Sequence, residues 1–140
     1  MKILAAVDGS TYTRRMLAYV AAHDEWLGPQ HEYTMLHVVP TVPPRAVGEV
    51  DRATLKAYYE EGAEKVFKPL RVFCSKQRLN SQFISKAGLA AETIAEVATK
   101  GRYDLIVMGS HGHTTLGNLV MGSVATKVLA LCTTPTLLIR

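Results

Sequence analysis

Gly109, Gly112, Gly122 and Ser123 stand in the spacing G-x2-G-x9-G-S within "VMGSHGHTTLGNLVMGSVATKVL", Val107 to Leu129, with a further glycine at 117. Glycine costs roughly 0.5–1 kcal/mol against alanine in regular structure, so such a cluster implies special dihedrals or a group pressing on bare backbone. Two stretches of main chain stripped of Cβ atoms, the second opening a helix, suit an anion. Their N–H groups can converge on it, and the Ser123 hydroxyl adds a donor. Hydrogen bonds to a charged partner contribute about 1.5–3 kcal/mol each, so a handful of them with burial of an attached base reaches the roughly −8 kcal/mol of a micromolar complex. Neither G-x-x-x-x-G-K-[ST] nor a G-x-G-x-x-G after the first strand is present, so this spacing stands by itself.

Asp8, in "VDGST", is the one carboxylate in a comparable position. Gly9 permits a tight turn there, and Ser10 or Thr11 can cap the helix that follows. A lone acid in a turn more readily orients a hydroxyl than removes a proton, so no residue is assigned as catalytic. His111 and His113 sit two apart in the glycine loop, where an imidazole can hydrogen-bond phosphate or act as an acid near neutral pH. We assign His111 to the site and read His113 as an exposed loop residue. His37 reads as a core histidine with a local partner, His23 as a helix-face residue and His31 as a loop residue. No cluster has ligand spacing, so no metal site is assigned.

Five short apolar runs can carry these groups: Ile3–Val7, Met35–Val39, Gln82–Ser85, Leu105–Met108 and Thr136–Ile139. All but the third are near-continuous, the pattern of strands covered on both faces of a parallel sheet. Helical periods lie between them, over Met16–Leu27, Leu55–Phe73, Ala91–Ala98 and Val124–Cys132. Pro69 should kink the second of these, or break it. Gly101 marks a helix stop. Pro40–Glu49, with three prolines, reads as a loop after strand two. The predicted order is β-α-β-α-β-α-β-α-β, an open doubly wound α/β sheet of five parallel strands with four main helices. In such a sheet ligands sit beyond the carboxyl ends of the strands, where the strand order reverses.

The chain has 140 residues, which fits one domain over 1–140, and its 48% hydrophobic and 20% charged content is ordinary globular usage. A net charge of +4 is spread over scattered lysines and arginines without interleaved aromatics, which argues against nucleic acid. The apolar runs fall far short of the roughly 20 residues that span a bilayer, and "MKILAAVDGS" meets an aspartate before a secretion signal develops, so a cytoplasmic protein without membrane insertion is expected. Cys74 and Cys132 lack metal or redox spacing and are expected to be reduced and inert.

"VDGS", "LHVV", "DLIVMGSHG", "MGSVATKVL" and "PTLLIR", in that order over the whole chain, resemble the universal stress protein family, and the glycine spacing matches that of its nucleotide-binding branch. The resemblance implies ATP or another adenine nucleotide, with Mg2+ held mostly by the phosphates. Adenine would lie near Val7, Asp8, Met108 and the backbone of Val38, ribose near Asp8 and Gly109, and phosphates on Gly112, Gly122, Ser123 and Val124. It also implies strand order 3-2-1-4-5 and a homodimer pairing Pro135–Arg140 edge to edge, since an unprotected terminal strand is a template for such pairing. "TLLI" and Ala6 depart slightly from the family pattern and bear on the dimer edge and the pocket.

The implied function is a nucleotide-sensing regulatory module of the stress response, acting on an unidentified protein partner. Changing Gly122 to valine is expected to abolish binding and leave the fold intact. The alternative is a slow ATP-hydrolysing or adenylyl-transferring enzyme. Related pyrophosphatase-type enzymes carry a serine-glycine-glycine loop where this chain has "VDGSTY", which argues against it. A phosphoacceptor receiver domain is set aside, because "FISKAG" and "TLLIR" lack its acceptor aspartate and lysine.

Overall fold

In the computed structural model residues 1–113 and 121–140 are described, and Gly117 lies outside them. The strands are β1 (Lys2–Ala6), β2 (Glu32–Val39), β3 (Asn80–Ala87), β4 (Leu105–Gly109) and β5 (Thr136–Ile139). They form one sheet in the order β3-β2-β1-β4-β5 with every neighbouring pair parallel. β1 occupies the middle, flanked by β2 and β4, and this is where the strand order reverses.

Both faces of the sheet are covered. Ile3, Ala5 and Val7 point to one face, where Met16 and Val20 of α1 (Thr11–Ala22) and Phe67 and Leu70 of α4 (Arg52–Lys76) pack on them. Leu4, Leu36, Ile106 and Met108 point to the other, against Ile94 of α5 (Ala90–Lys100) and Val128 of α6 (Ser123–Leu131). Successive strand residues therefore enter different cores, which is why these strands read as unbroken apolar runs.

The described residues contain six helices rather than four main ones. The expected helix over Met16–Leu27 divides at His23, whose ring Nδ1 lies 2.8 Å from the Tyr19 carbonyl. That carbonyl would otherwise accept the His23 amide, which bonds instead to the Val20 carbonyl at 3.3 Å. The chain then restarts as α2 (Asp24–Leu27). The proline-rich stretch after β2 holds a single turn, α3 (Pro44–Val47), with proline at its first position, where a missing N–H is harmless. α4 runs unbroken through Pro69. β3 is longer than its apolar kernel because it pairs with β2 at every position from Asn80 to Ala87, and its polar residues are tolerated at the edge of the sheet.

Tyr33, nearly fully buried, donates its hydroxyl to the Leu27 carbonyl, and burial pushes its pKa up to about 12. Cys74 is buried, which raises its pKa and disfavours the reactive thiolate; Cys132 is half-buried. No described helix is long and apolar enough to cross a membrane.

Candidate functional site

A cavity of about 370 Å3 opens beyond the carboxyl ends of β1 and β4, within the roughly 300–1,000 Å3 usual for small-molecule sites. Val7, Val38 and Met108 supply its apolar wall, with Leu36 and Ile94 beside them. Asp8, Gly109, His111 and Gly112 line the middle, and Gly122, Ser123 and Val124 close it at the start of α6. All ten residues singled out from the sequence thus border one space.

Asp8 is held by the turn that follows it. Gly9 takes φ +77°, the left-handed region that favours glycine. Ser10 caps α1, its Oγ accepting from the Thr13 amide at 3.4 Å. Asp8 Oδ1 accepts from the Ser10 amide and from the Thr13 hydroxyl, both at 2.9 Å. The other oxygen, Oδ2, faces Gly112, where an added Cβ would come within 2.8 Å of it. One carboxylate oxygen therefore builds the turn while the other looks into the cavity.

The two ends of the glycine motif do converge, through a bond within the protein. The Gly122 amide donates to the Ser110 carbonyl at 2.6 Å, so that N–H is already engaged and does not point outward as the spacing suggested. What remains for an anion is the first turn of α6. Among the described residues no side chain caps it, and no acidic residue lies in its first turn; its leading N–H groups have no partner within the helix. Ser123 is exposed at that end. The glycines also have packing reasons. A Cβ on Gly109 would fall 2.5 Å from the Cβ of Tyr12, and one on Gly122 would fall 3.1 Å from both the Ser110 carbonyl oxygen and the His111 Cα. Valine at 122 would press on this junction, so that substitution bears on the packing of the loop as well as on a ligand.

The histidines are engaged as well. His37 donates Nδ1–H to the Val7 carbonyl at 2.8 Å, the local partner anticipated for it. His111 Nδ1 pairs with the Ser110 hydroxyl at 2.9 Å, and its ring lies 5.0 Å from that of Tyr12. His113 is exposed, yet its Nε2 reaches the Asp8 carbonyl at 2.6 Å.

The model of the universal stress protein family matches residues 1–140. The chain belongs to this family. A universal stress protein of Thermus aquaticus is 32% identical over 138 residues, which cover 99% of this chain and 97% of the relative. Among solved structures, MJ0577 of Methanocaldococcus jannaschii shares the fold with a TM-score of 0.79 at 25% identity, over 99% of this chain and 94% of the other. A universal stress protein family protein from Arabidopsis thaliana, solved with AMP bound, has a TM-score of 0.69 at 17% identity, over 99% and 90% of the two chains. At that identity the likeness is one of fold.

In this universal stress protein the sequence reading passed over Thr13, Ser110 and His113, all of which border the cavity. Thr13 follows Asp8 by five residues, in the first turn of α1, and a hydroxyl at that offset was a usable signal. Ser110 stands inside the motif, buried to 1% exposure. Nothing local marks His113, because its partner is a main-chain carbonyl 105 residues away.

Proposed function

We infer that the chain is a nucleotide-sensing regulatory module that binds an adenine nucleotide, ATP or a close relative, in the cavity beyond β1 and β4. The observation that carries this is the meeting of a free carboxylate oxygen, an apolar slot and an uncapped helix start around one space of nucleotide size. The base would pack on Val7, Val38 and Met108. A ribose hydroxyl would donate to Asp8 Oδ2 beside Gly109 and Gly112, where a Cβ on Gly112 would obstruct it. Phosphates would lie toward Ser123, Val124 and His111. Mg2+, where present, would come with the phosphates. That a relative of this fold holds AMP supports an adenine ligand. A bound nucleotide acts on a protein partner only by favouring one arrangement of the cavity rim over another, which requires different affinities for the two.

β5 ends the sheet with a free edge, and Leu129 and Leu131 at the end of α6 are 44% and 52% exposed. A homodimer that pairs β5 with its copy would cover both features; sedimentation equilibrium should then give twice 15.3 kDa. A cytoplasmic location goes with this reading.

Calorimetric titration with ATP, ADP and AMP tests the site. Asp8→Asn keeps an oxygen for Ser10 and Thr13 but loses the carboxylate facing Gly112. It is expected to weaken binding by about tenfold or more, since a hydrogen bond to a charged group contributes roughly 1.5–3 kcal/mol. Absence of affinity for all three nucleotides at millimolar concentration removes the reading. Steady nucleotide cleavage that disappears in Asp8→Asn would instead favour the enzyme.

A further inference from the structure

Among the described residues Asp8 is the only carboxylate on the cavity wall, and the basic side chains there are three imidazoles, His37, His111 and His113. No described lysine or arginine lines it, and residues 114–120, "TTLGNLV", contain none. A nucleotide phosphate carries at least one full negative charge, and a side-chain cation drawn from this lining to meet it, beside the α6 start, is a protonated histidine.

The three rings differ in what their nitrogens do. His37 is committed to the Val7 carbonyl and stands edge-on to Phe67 of α4, which fixes it within the sheet. His111 is turned toward Ser110 and lies against Tyr12 of α1, with the Arg15 guanidinium 5.1 Å from that tyrosine ring. His113 reaches across from the glycine loop to the end of β1. A carbonyl oxygen only accepts, so Nε2 carries the proton of that bond and Nδ1 is the nitrogen left to gain one. A second proton strengthens the bond to the Asp8 carbonyl and makes the ring cationic on the wall of the cavity that Gly112 and the start of α6 also line. α6 has no acidic residue in its first turn, and among the described residues lining the cavity Asp8 is the one with a carboxylate.

The geometry points to His113 as a proton-operated clasp on the ligand cavity. It ties the glycine loop to the end of β1, and on protonation it supplies the positive charge that a nucleotide's phosphates meet. This rests on the adenine-nucleotide reading above. Proton uptake at His113 and phosphate binding then reinforce each other through linkage, and each raises the affinity for the other by the same factor. Affinity for ADP gains from acidification through this group, and affinity for adenosine does not.

The test is calorimetric titration of ADP and of adenosine into the full chain and into His113→Gln, at about pH 8 and about pH 6, the window in which imidazoles charge. Glutamine places an amide donor near the former Nε2 position and cannot become cationic. The terminal phosphate of ADP also titrates in this window, but identically with both proteins, so the ratio of the two affinities isolates the histidine. That ratio should grow about fivefold for ADP on acidification, the size of a unit-charge attraction across a few ångströms of water-like medium, and stay constant for adenosine. A ratio for ADP that ignores pH overturns the clasp while leaving nucleotide binding in place. An adenosine ratio that moves equally also overturns it, because the titration then acts on the fold rather than on phosphate. Failure of the unaltered chain to bind any adenine nucleotide at either pH removes both readings.

Discussion

A methyl group on Gly109 would meet Tyr12 Cβ at 2.5 Å and the His111 carbonyl oxygen at 3.1 Å. Neither neighbour is the end of a flexible side chain, so Gly109→Ala must push α1 away from the tip of β4. It is expected to lower stability by about 1–3 kcal/mol, the usual cost of overpacking, read as a lower urea midpoint with an unchanged slope. The spacing of the motif announced bare backbone, but not which of its demands comes from a ligand and which from the protein. Gly109 makes room for Tyr12, Gly122 closes on the Ser110 carbonyl, and Gly112 alone leaves space in front of a polar group facing the cavity. Asp8 was legible as a rim residue because it closes an apolar run before a turn, although one of its oxygens serves that turn. His113 was not, because the atom it bonds belongs to the main chain and carries no signature in the sequence.

At the scale of elements, α4 begins with Asp51 accepting the Thr54 amide at 2.7 Å, a bond that lowers the pKa of this carboxyl. The folded value lies below the unfolded one, so the cap contributes above the ordinary carboxylate range and is lost as pH falls through the folded value. Asp51→Ala should therefore be less stable than the unaltered chain at neutral pH. The gap should narrow as pH falls through the lowered folded value, below the ordinary carboxylate range, as urea denaturation at neutral and at acid pH would show. Further along the same helix, Pro69 is exposed and the helix does not break there. Pro69→Ala restores one backbone donor and is expected to raise stability by about 1–3 kcal/mol, seen as a higher thermal midpoint. Apolar period alone located α4 and α5, since each buries one face on the sheet. It could not see the division between α1 and α2, which depends on a histidine side chain taking a carbonyl from its own backbone. Nor could it see the polar ends of β3, which are strand only because β2 lies alongside.

For the whole molecule, alternation of strand and helix with right-handed crossovers leaves few topologies open, and the family resemblance then implied the strand order that was found. The location of the cavity follows from that order, because only where the sequence of strands reverses do two neighbouring loops part. A ligand held there bridges β1, β4 and α6 and should stabilise the molecule as a unit. At about a hundred times its Kd it adds roughly 2.7 kcal/mol, or about 5–10 °C in Tm for a chain of this size. Differential scanning fluorimetry with ADP checks this, and the shift should shrink in Asp8→Asn. The central position of β1 has a consequence for synthesis. Its partner on one side, Leu105 opposite Ile3, is translated about a hundred residues after it, and the helix that completes the cavity comes later still. A ribosome that stalls before Leu105 therefore yields a fragment whose most apolar strand has one bare edge, a template for aggregation, and which lacks the pocket wall through which ligand could rescue it.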